Sequence, residues 1–200
     1  MQLATSPATH DGTMMIRALI LVAIASATPV ASAAQLDGVW MPDTQLVRGD
    51  RLLLNGLGLR TYSIFRIGIY VAGLYLEQRS DDPDVILRST GMKLIRIRFL
   101  HNVNAQEARA SWQQAFERTC KLPCDLSSGQ VQRFLAAVPA FHEGDESRLL
   151  FTSHGVDVRI DGRLIGQIED PHFAAVMLAT FIGPAPPTHQ LKRQLLGIRD

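Results

Sequence analysis

The sequence predicts an α+β domain, a large antiparallel sheet with helices packed mainly on one face. Three observations point there. Residues 51–77, RLLLNGLGLRTYSIFRIGIYVAGLYLE, are apolar on both faces, rich in β-branched and aromatic residues, and punctuated by Gly56, Gly58, Gly68 and Gly73. Such a stretch reads as two long strands covered on both sides. Residues 156–168, VDVRIDGRLIGQI, alternate around Asp161-Gly162, the signature of a hairpin. Helical stripes come in blocks instead of between successive strands, so a regular parallel βαβ order is excluded.

Taken in order, a short strand is expected near Val39-Trp40. Residues 46–60 and 64–76 are the two long strands, broken near Thr61–Ser63. Asp81-Asp82-Pro83 signals a helix start, followed by the short helix Asp84–Arg88. In residues 92–99, MKLIRIRF, Ile95, Ile97 and Phe99 point one way and Arg96 and Arg98 the other, giving a strand with one wet face. Asn104 caps the next helix with Glu107 at the capping-box position, and its stripe is Ala108, Trp112, Ala115, Phe116 and Thr119. Another helix follows from about Ser127 through Val131, Phe134, Leu135 and Val138. After the strands of residues 147–168, Asp170-Pro171 opens a helix with Phe173, Val176, Met177, Thr180 and Phe181 on one stripe. Gly183 ends it and Pro184 prevents its continuation. Pro186-Pro187-Thr188 leads into a last helix through Leu191, Leu195 and Leu196.

Residues 18–27, ALILVAIASA, follow Arg17, and Ala31-Ser32-Ala33 gives a small-x-small cleavage pattern. This reads as a secretory signal over residues 1–33, too short to span a bilayer, with translation starting at Met14 or Met15. The domain is then residues 34–200, delivered to a periplasm or secreted. No second apolar span follows, so no stable membrane insertion is expected after cleavage. The formal net charge is +1 and no long basic block occurs, which argues against a nucleic-acid partner. The only cysteines, Cys120 and Cys124 in CKLPC, are expected to pair as a local disulfide. Redox pairs normally enclose two residues, not three, and no histidine pair at ligand spacing accompanies them.

Motifs for common chemistries are absent. There is no phosphate loop, no GxSxG, no HExxH and no zinc-like cluster, so neither a cofactor nor a metal is expected. His101, His142, His154 and His172 are scattered beside turns and helix starts. Arg60 is the first candidate. A guanidinium in an apolar strand pair needs a partner, either a protein carboxylate or an anionic ligand. Thr180 is the second, a hydroxyl in an apolar stripe that can instead bond back along its own helix. Tyr62, Tyr70 and Tyr75 are large core residues whose hydroxyls want partners when buried.

Several of these segments, in this order, resemble the chalcone isomerase-like family. The matching pieces are LNGLGLR (54–60), FRIGIYVAGLYLE (65–77), KLIRIRFLHNVNAQEARASW (93–112), VDVRIDGRLIGQI (156–168) and AAVMLATFIG (174–183). The resemblance implies an open β-sandwich-like fold, a large antiparallel sheet with helices layered on one face and a ligand cleft between them. In the plant enzymes of the family that cleft closes a flavanone ring by attack of a phenolate oxygen on an enone. The carry-over places Arg60 on the family arginine and Thr180 on its late-helix hydroxyl. Tyr70 falls near the strand threonine, and Glu107 and Gln114 fall near the helix tyrosine and asparagine. The retained arginine with altered helix positions favours binding of a small amphipathic anion, such as the fatty acids held by other members, with Arg60, Thr180 and Tyr70 as the contacts. The alternative is an isomerase or intramolecular lyase acting on a chalcone-like or other enone substrate, using Arg60 and Thr180 on a phenolic ligand. A third reading is a structural protein with a filled core and Arg60 paired internally.

Overall fold

The computed structural model describes residues 1–2, 33–62, 67–121 and 123–198. The expected signal segment, residues 1–33, lies outside the described residues over residues 3–32. The first described elements are a hairpin, β1 (Ala33–Leu36) and β2 (Val39–Pro42), turned at Asp37-Gly38 with φ of 49° and 79°. Then come β3 (Thr44–Val47), β4 (Asp50–Tyr62), β5 (Ile67–Leu76), α1 (Pro83–Arg88), β6 (Lys93–Phe99), α2 (Ala105–Thr119) and α3 (Gly129–Ala137). The chain continues through β7 (Glu146–Thr152), β8 (Gly155–Ile160), β9 (Arg163–Ile168), α4 (Pro171–Ile182) and α5 (His189–Leu195).

Strands β3 to β9 form one seven-stranded antiparallel sheet in chain order, interrupted only by helical excursions. Local chemistry sets the boundaries. Asp82, Asn104, Ser128, Asp170 and Thr188 each accept a backbone N–H at a helix N-terminus, the donors that the first turn leaves without partners. Asp161-Gly162 turns β8 into β9 at φ 46° and 79°, as the hairpin signal predicts.

The sheet is strongly curled. Arg48, in the turn between β3 and β4, pairs with Asp157 of β8 at 2.8 Å. Gln45 of β3 accepts a bond from Arg148 of β7 at 3.2 Å. In a flat sheet β3 and β8 would lie about 24 Å apart, five strand spacings of about 4.8 Å, beyond the reach of any two side chains. The curl gives the sheet two unlike faces. Its helix face buries Ala72, Leu74, Ile95, Ile97, Leu149 and Val158 under α1 to α5. Its concave face closes over Leu52, Leu54, Val71, Tyr75 and Leu94, with Met41 of β2 inserted among them.

Two features differ from the sequence expectation. The strand read over residues 46–60 is divided by a tight turn at Arg48-Gly49, where φ is 52° and 96°. Helix α4 is buried nearly all round instead of along one stripe, because it lies between the sheet and α1, α2 and α5. Gly183 ends α4 as the sequence predicts, in extended backbone at φ −78°. Glycine is needed there because a Cβ would stand 2.4 Å from the Ala179 carbonyl oxygen.

Candidate functional site

The sequence LNGLGLR places Arg60. A bulge between Leu54 and Gly56 reverses the alternation of β4, so Leu57 and Leu59 face the concave core and Gly56, Gly58 and Arg60 face the helices. The two glycines let α5 lie directly on the strand. A Cβ at Gly56 would stand 2.0 Å from the Gln194 carbonyl oxygen, and one at Gly58 2.9 Å from Leu191 Cδ1. Polar side chains fix the contact: Asn55 Nδ2 donates to the Leu195 carbonyl at 2.9 Å, and Gln194 Oε1 accepts the Leu59 N–H at 3.0 Å. Arg60 emerges one step further along, where the chain enters α5. Its Nη1 donates to the carbonyls of Thr61 at 2.8 Å and Pro187 at 3.0 Å.

Arg60 is half-buried, and among the described residues no carboxylate pairs with it. A guanidinium carries five N–H donors, and the two carbonyls engage one nitrogen only. The group is therefore held in place without being neutralised.

Tyr70 is the cross-strand partner of Arg60, and Phe99 is the partner of Tyr70 on the other side. Cross-strand partners share a face, so the three form a row on the helix face. Tyr70 meets Phe99 edge-on at 5.8 Å between ring centroids, and Phe99 stacks on Phe141 at 4.0 Å. Burial pushes the Tyr70 hydroxyl up to about 12, against a smaller downward pull from the Arg60 charge. At neutral pH it is an O–H, a donor beside a cation. Guanidinium and phenol together can hold an oxyanion, whether carboxylate, phenolate or enolate.

Thr180 lies in the helical layer, 3% exposed, and its Oγ1 donates to the Met177 carbonyl at 2.7 Å. That is the local back-bond open to any helical threonine, and it leaves the oxygen able to accept. Among the described residues no hydrogen bond joins Thr180 to Arg60 or Tyr70. Glu107 and Gln114 are exposed on α2. The Glu107 N–H is capped by Asn104 Oδ1 at 2.9 Å, and Gln114 accepts from Arg118. Cys120 and Cys124 form the expected disulfide at the end of α2, with Cα atoms 5.5 Å apart.

Sequence reasoning missed the Tyr70–Phe99–Phe141 row and the role of Pro187. Only the register of β4 on β5 and of β5 on β6 assembles them. Two cavities lie away from Arg60. One is lined by Leu87, Lys93, Phe151, Pro171 and Leu178, the other by Gln113, Phe116, Leu126 and Leu135. Among the described residues no cluster of His, Cys, Asp and Glu could hold a metal ion, and no helix is long and apolar enough to cross a membrane.

The geometry can be set beside known proteins. A crystal structure of an Arabidopsis thaliana fatty-acid binding protein superposes with a TM-score of 0.69 at 18% identity, covering 82% of this chain and 96% of that one. At that identity the likeness shows the fold. No curated protein sequence matches the chain. Residues 33–197 match the chalcone isomerase-like family, which takes in every described strand and helix, and the chain belongs to that family.

Proposed function

We propose that this protein binds a small amphipathic anion, a fatty acid or a close analogue, between sheet and helices, with the anionic head on Arg60. The observation that carries the reading is the half-buried guanidinium that no described carboxylate neutralises, beside the protonated hydroxyl of Tyr70. A carboxylate there takes a bidentate bond from the free edge of the guanidinium and a further bond from Tyr70. Thr180 supplies a third polar contact as acceptor or after turning its hydroxyl. The tail lies along Phe99 and Phe141. The solved structure named above is that of a fatty-acid binding protein, which agrees with this choice of ligand. The two described cavities lie elsewhere, so the helix layer beside Arg60 must part to admit a tail. The secretory reading of residues 1–33 places this activity in a periplasm or outside the cell.

The test is mass spectrometry of small molecules extracted from protein purified out of a periplasm, wild type beside Arg60→Ala. A near-stoichiometric fatty acid or similar anion, lost in the variant, is the expected result. An empty wild type that also fails to take up added fatty acid sinks the reading. The same pair of donors could steady the oxyanion of an enone cyclisation. A stereoselective chalcone turnover above the solution rate, lost in Arg60→Ala, would move the protein to the intramolecular lyases.

A further inference from the structure

The concave face of the sheet carries a second concentration of cations that the Arg60 site does not use. Arg96 of β6 stands directly opposite Arg148 of β7, and Arg148 directly opposite Arg159 of β8. Partners in register share a face, so three guanidinium-bearing residues form a row across three strands. Arg98, two residues along β6, joins the same face.

Among the described residues, Glu146 is the carboxylate that pairs with this group. Glu146 lies 2.5 Å from Arg96 Nη2, 3.2 Å from Arg98 Nη2 and 3.9 Å from Arg148 Nη1. Of the other acidic side chains nearby, Asp157 is paired with Arg48 at 2.8 Å. Asp145 and Asp161, in the turns at the edge of the row, accept the backbone N–H groups of His142 at 2.7 Å and Glu146 at 2.9 Å, and form no ion pair with the four arginines among the described residues. Arg98 and Arg159 each donate one Nη1 to a turn carbonyl, that of Gly144 and of Gly162. These bonds hold the side chains without neutralising them.

Two costs follow. Like charges directly opposite on a sheet repel. The Nε of Arg96 is buried with no hydrogen-bond partner, on a side chain only 15% exposed. A buried donor left without an acceptor is destabilising. The group is nevertheless open on one side, with the Arg98 and Arg148 side chains 40% and 35% exposed. An excess of planar forks, one unmet donor and an open rim suit an anion with several acceptor oxygens.

We propose that Arg96, Arg98, Arg148 and Arg159 form a binding site for a phosphate- or sulfate-type oxyanion on the concave face of the sheet. The site is separate from the Arg60 ligand and does not depend on it. Free phosphate esters and lipid headgroups present the same chemistry, and the test distinguishes them.

The full chain is titrated with inorganic pyrophosphate by calorimetry at low ionic strength. It is then sedimented with phosphatidylcholine vesicles that contain phosphatidylglycerol. Wild type is expected to bind pyrophosphate saturably, and Arg148→Gln to weaken that binding about tenfold or more. Arg88→Gln, an exposed arginine on α1, leaves it unchanged. If Arg148→Gln does not melt cooperatively, Arg98→Gln is read in its place. Vesicle binding that pyrophosphate competes away assigns a lipid headgroup. Pyrophosphate binding with vesicles ignored assigns a free phosphate-type ligand. Absence of saturable pyrophosphate binding together with absence of vesicle binding overturns the proposal. So does equal weakening by Arg88→Gln and Arg148→Gln.

Discussion

On the helix face of the sheet Arg60 lies in register with Tyr70, bonded to two backbone carbonyls and, among the described residues, paired with no carboxylate. On the concave face Arg96, Arg98 and Arg148 crowd one carboxylate. The two arrangements fix arginines in different ways. A carbonyl orients a guanidinium and leaves its charge intact, whereas a carboxylate orients it and cancels the charge. The helix face therefore keeps a full positive charge in an apolar setting. The concave face keeps a surplus because Arg96, Arg98 and Arg148 share the one carboxylate of Glu146.

The largest expected effect separates these two modes. Glu146→Gln removes the carboxylate that Arg96, Arg98 and Arg148 share and leaves a mostly buried cation uncompensated, at a cost of about 3–4 kcal/mol in urea unfolding. Arg60→Met removes two bonds to carbonyls and no ion pair, and should cost about 1–2 kcal/mol. Equal losses in the two variants would mean that Arg60 has a charge partner in the folded protein, and the helix-face ligand reading would go with it.

Next in size is a contrast in packing. Gly56→Ala drives a Cβ into the α5 backbone, 2.0 Å from the Gln194 carbonyl oxygen, which cannot move without lifting the helix. A loss of about 2–3 kcal/mol is expected, with a fall in ligand retention because Pro187 O moves with α5. Gly73→Ala on the concave face meets the Met41 sulfur at 2.5 Å, the end of a flexible side chain. It should cost about 1 kcal/mol. Thermal melts of the pair check this, and a larger loss for Gly73→Ala would show that the concave core is the more rigid of the two.

The helix face was the more legible in sequence. Arg60 could be picked out because a lone guanidinium interrupts an apolar strand, and the caps Asp82, Asn104 and Asp170 announced their helices through local chemistry alone. The concave face was not legible. The alternation of Arg96 and Arg98 reads as a solvated face, which is what a flat sheet would make it. Their enclosure depends on the curl recorded by Arg48 and Asp157, residues 109 positions apart, and no local pattern reports such a contact. The turn at Arg48-Gly49 was hidden in the same way, inside a stretch that looks like continuous strand. Thr180 gave an ambiguous signal, and its back-bond to Met177 is a contact that any helix could provide.

A third expectation follows from Tyr70. An unfolded tyrosine ionises near 10.0, whereas burial raises the folded Tyr70 to about 12. Below pH 10 both states keep the proton and stability is unaffected. Between pH 10 and 12 the unfolded chain releases it and the folded chain does not, so stability falls, by about 3 kcal/mol in all. Tyr70→Phe should abolish most of that alkaline loss. What persists includes the contribution of Tyr75, which burial also raises. Because the Arg60 charge pulls the Tyr70 value down, Arg60→Met should move its ionisation, followed by ultraviolet absorbance, to still higher pH. An unmoved titration would place the two groups out of electrostatic reach of each other.

The smallest effect probes the surplus of charge directly. Arg159 is exposed and stands opposite Arg148, so its own bond to the Gly162 carbonyl is set against repulsion along the row. Arg159→Gln should stabilise the protein by about 0.5 kcal/mol at low salt. The gain should fade as ionic strength rises and the Debye length shrinks to about 8 Å. A gain that survives high salt would be a gain in packing, not in electrostatics. A loss at low salt would mean that the bond to Gly162 outweighs the repulsion. In pyrophosphate the sign should invert, because the anion turns the repelling row into a set of donors, and wild type then becomes the more stable chain. On the helix face no such inversion is expected. Arg60 has no like-charged neighbour in register, so a bound carboxylate can only add to its stability. Measured together, the inversion on one face and its absence on the other would show that the two faces hold their cations for different anions.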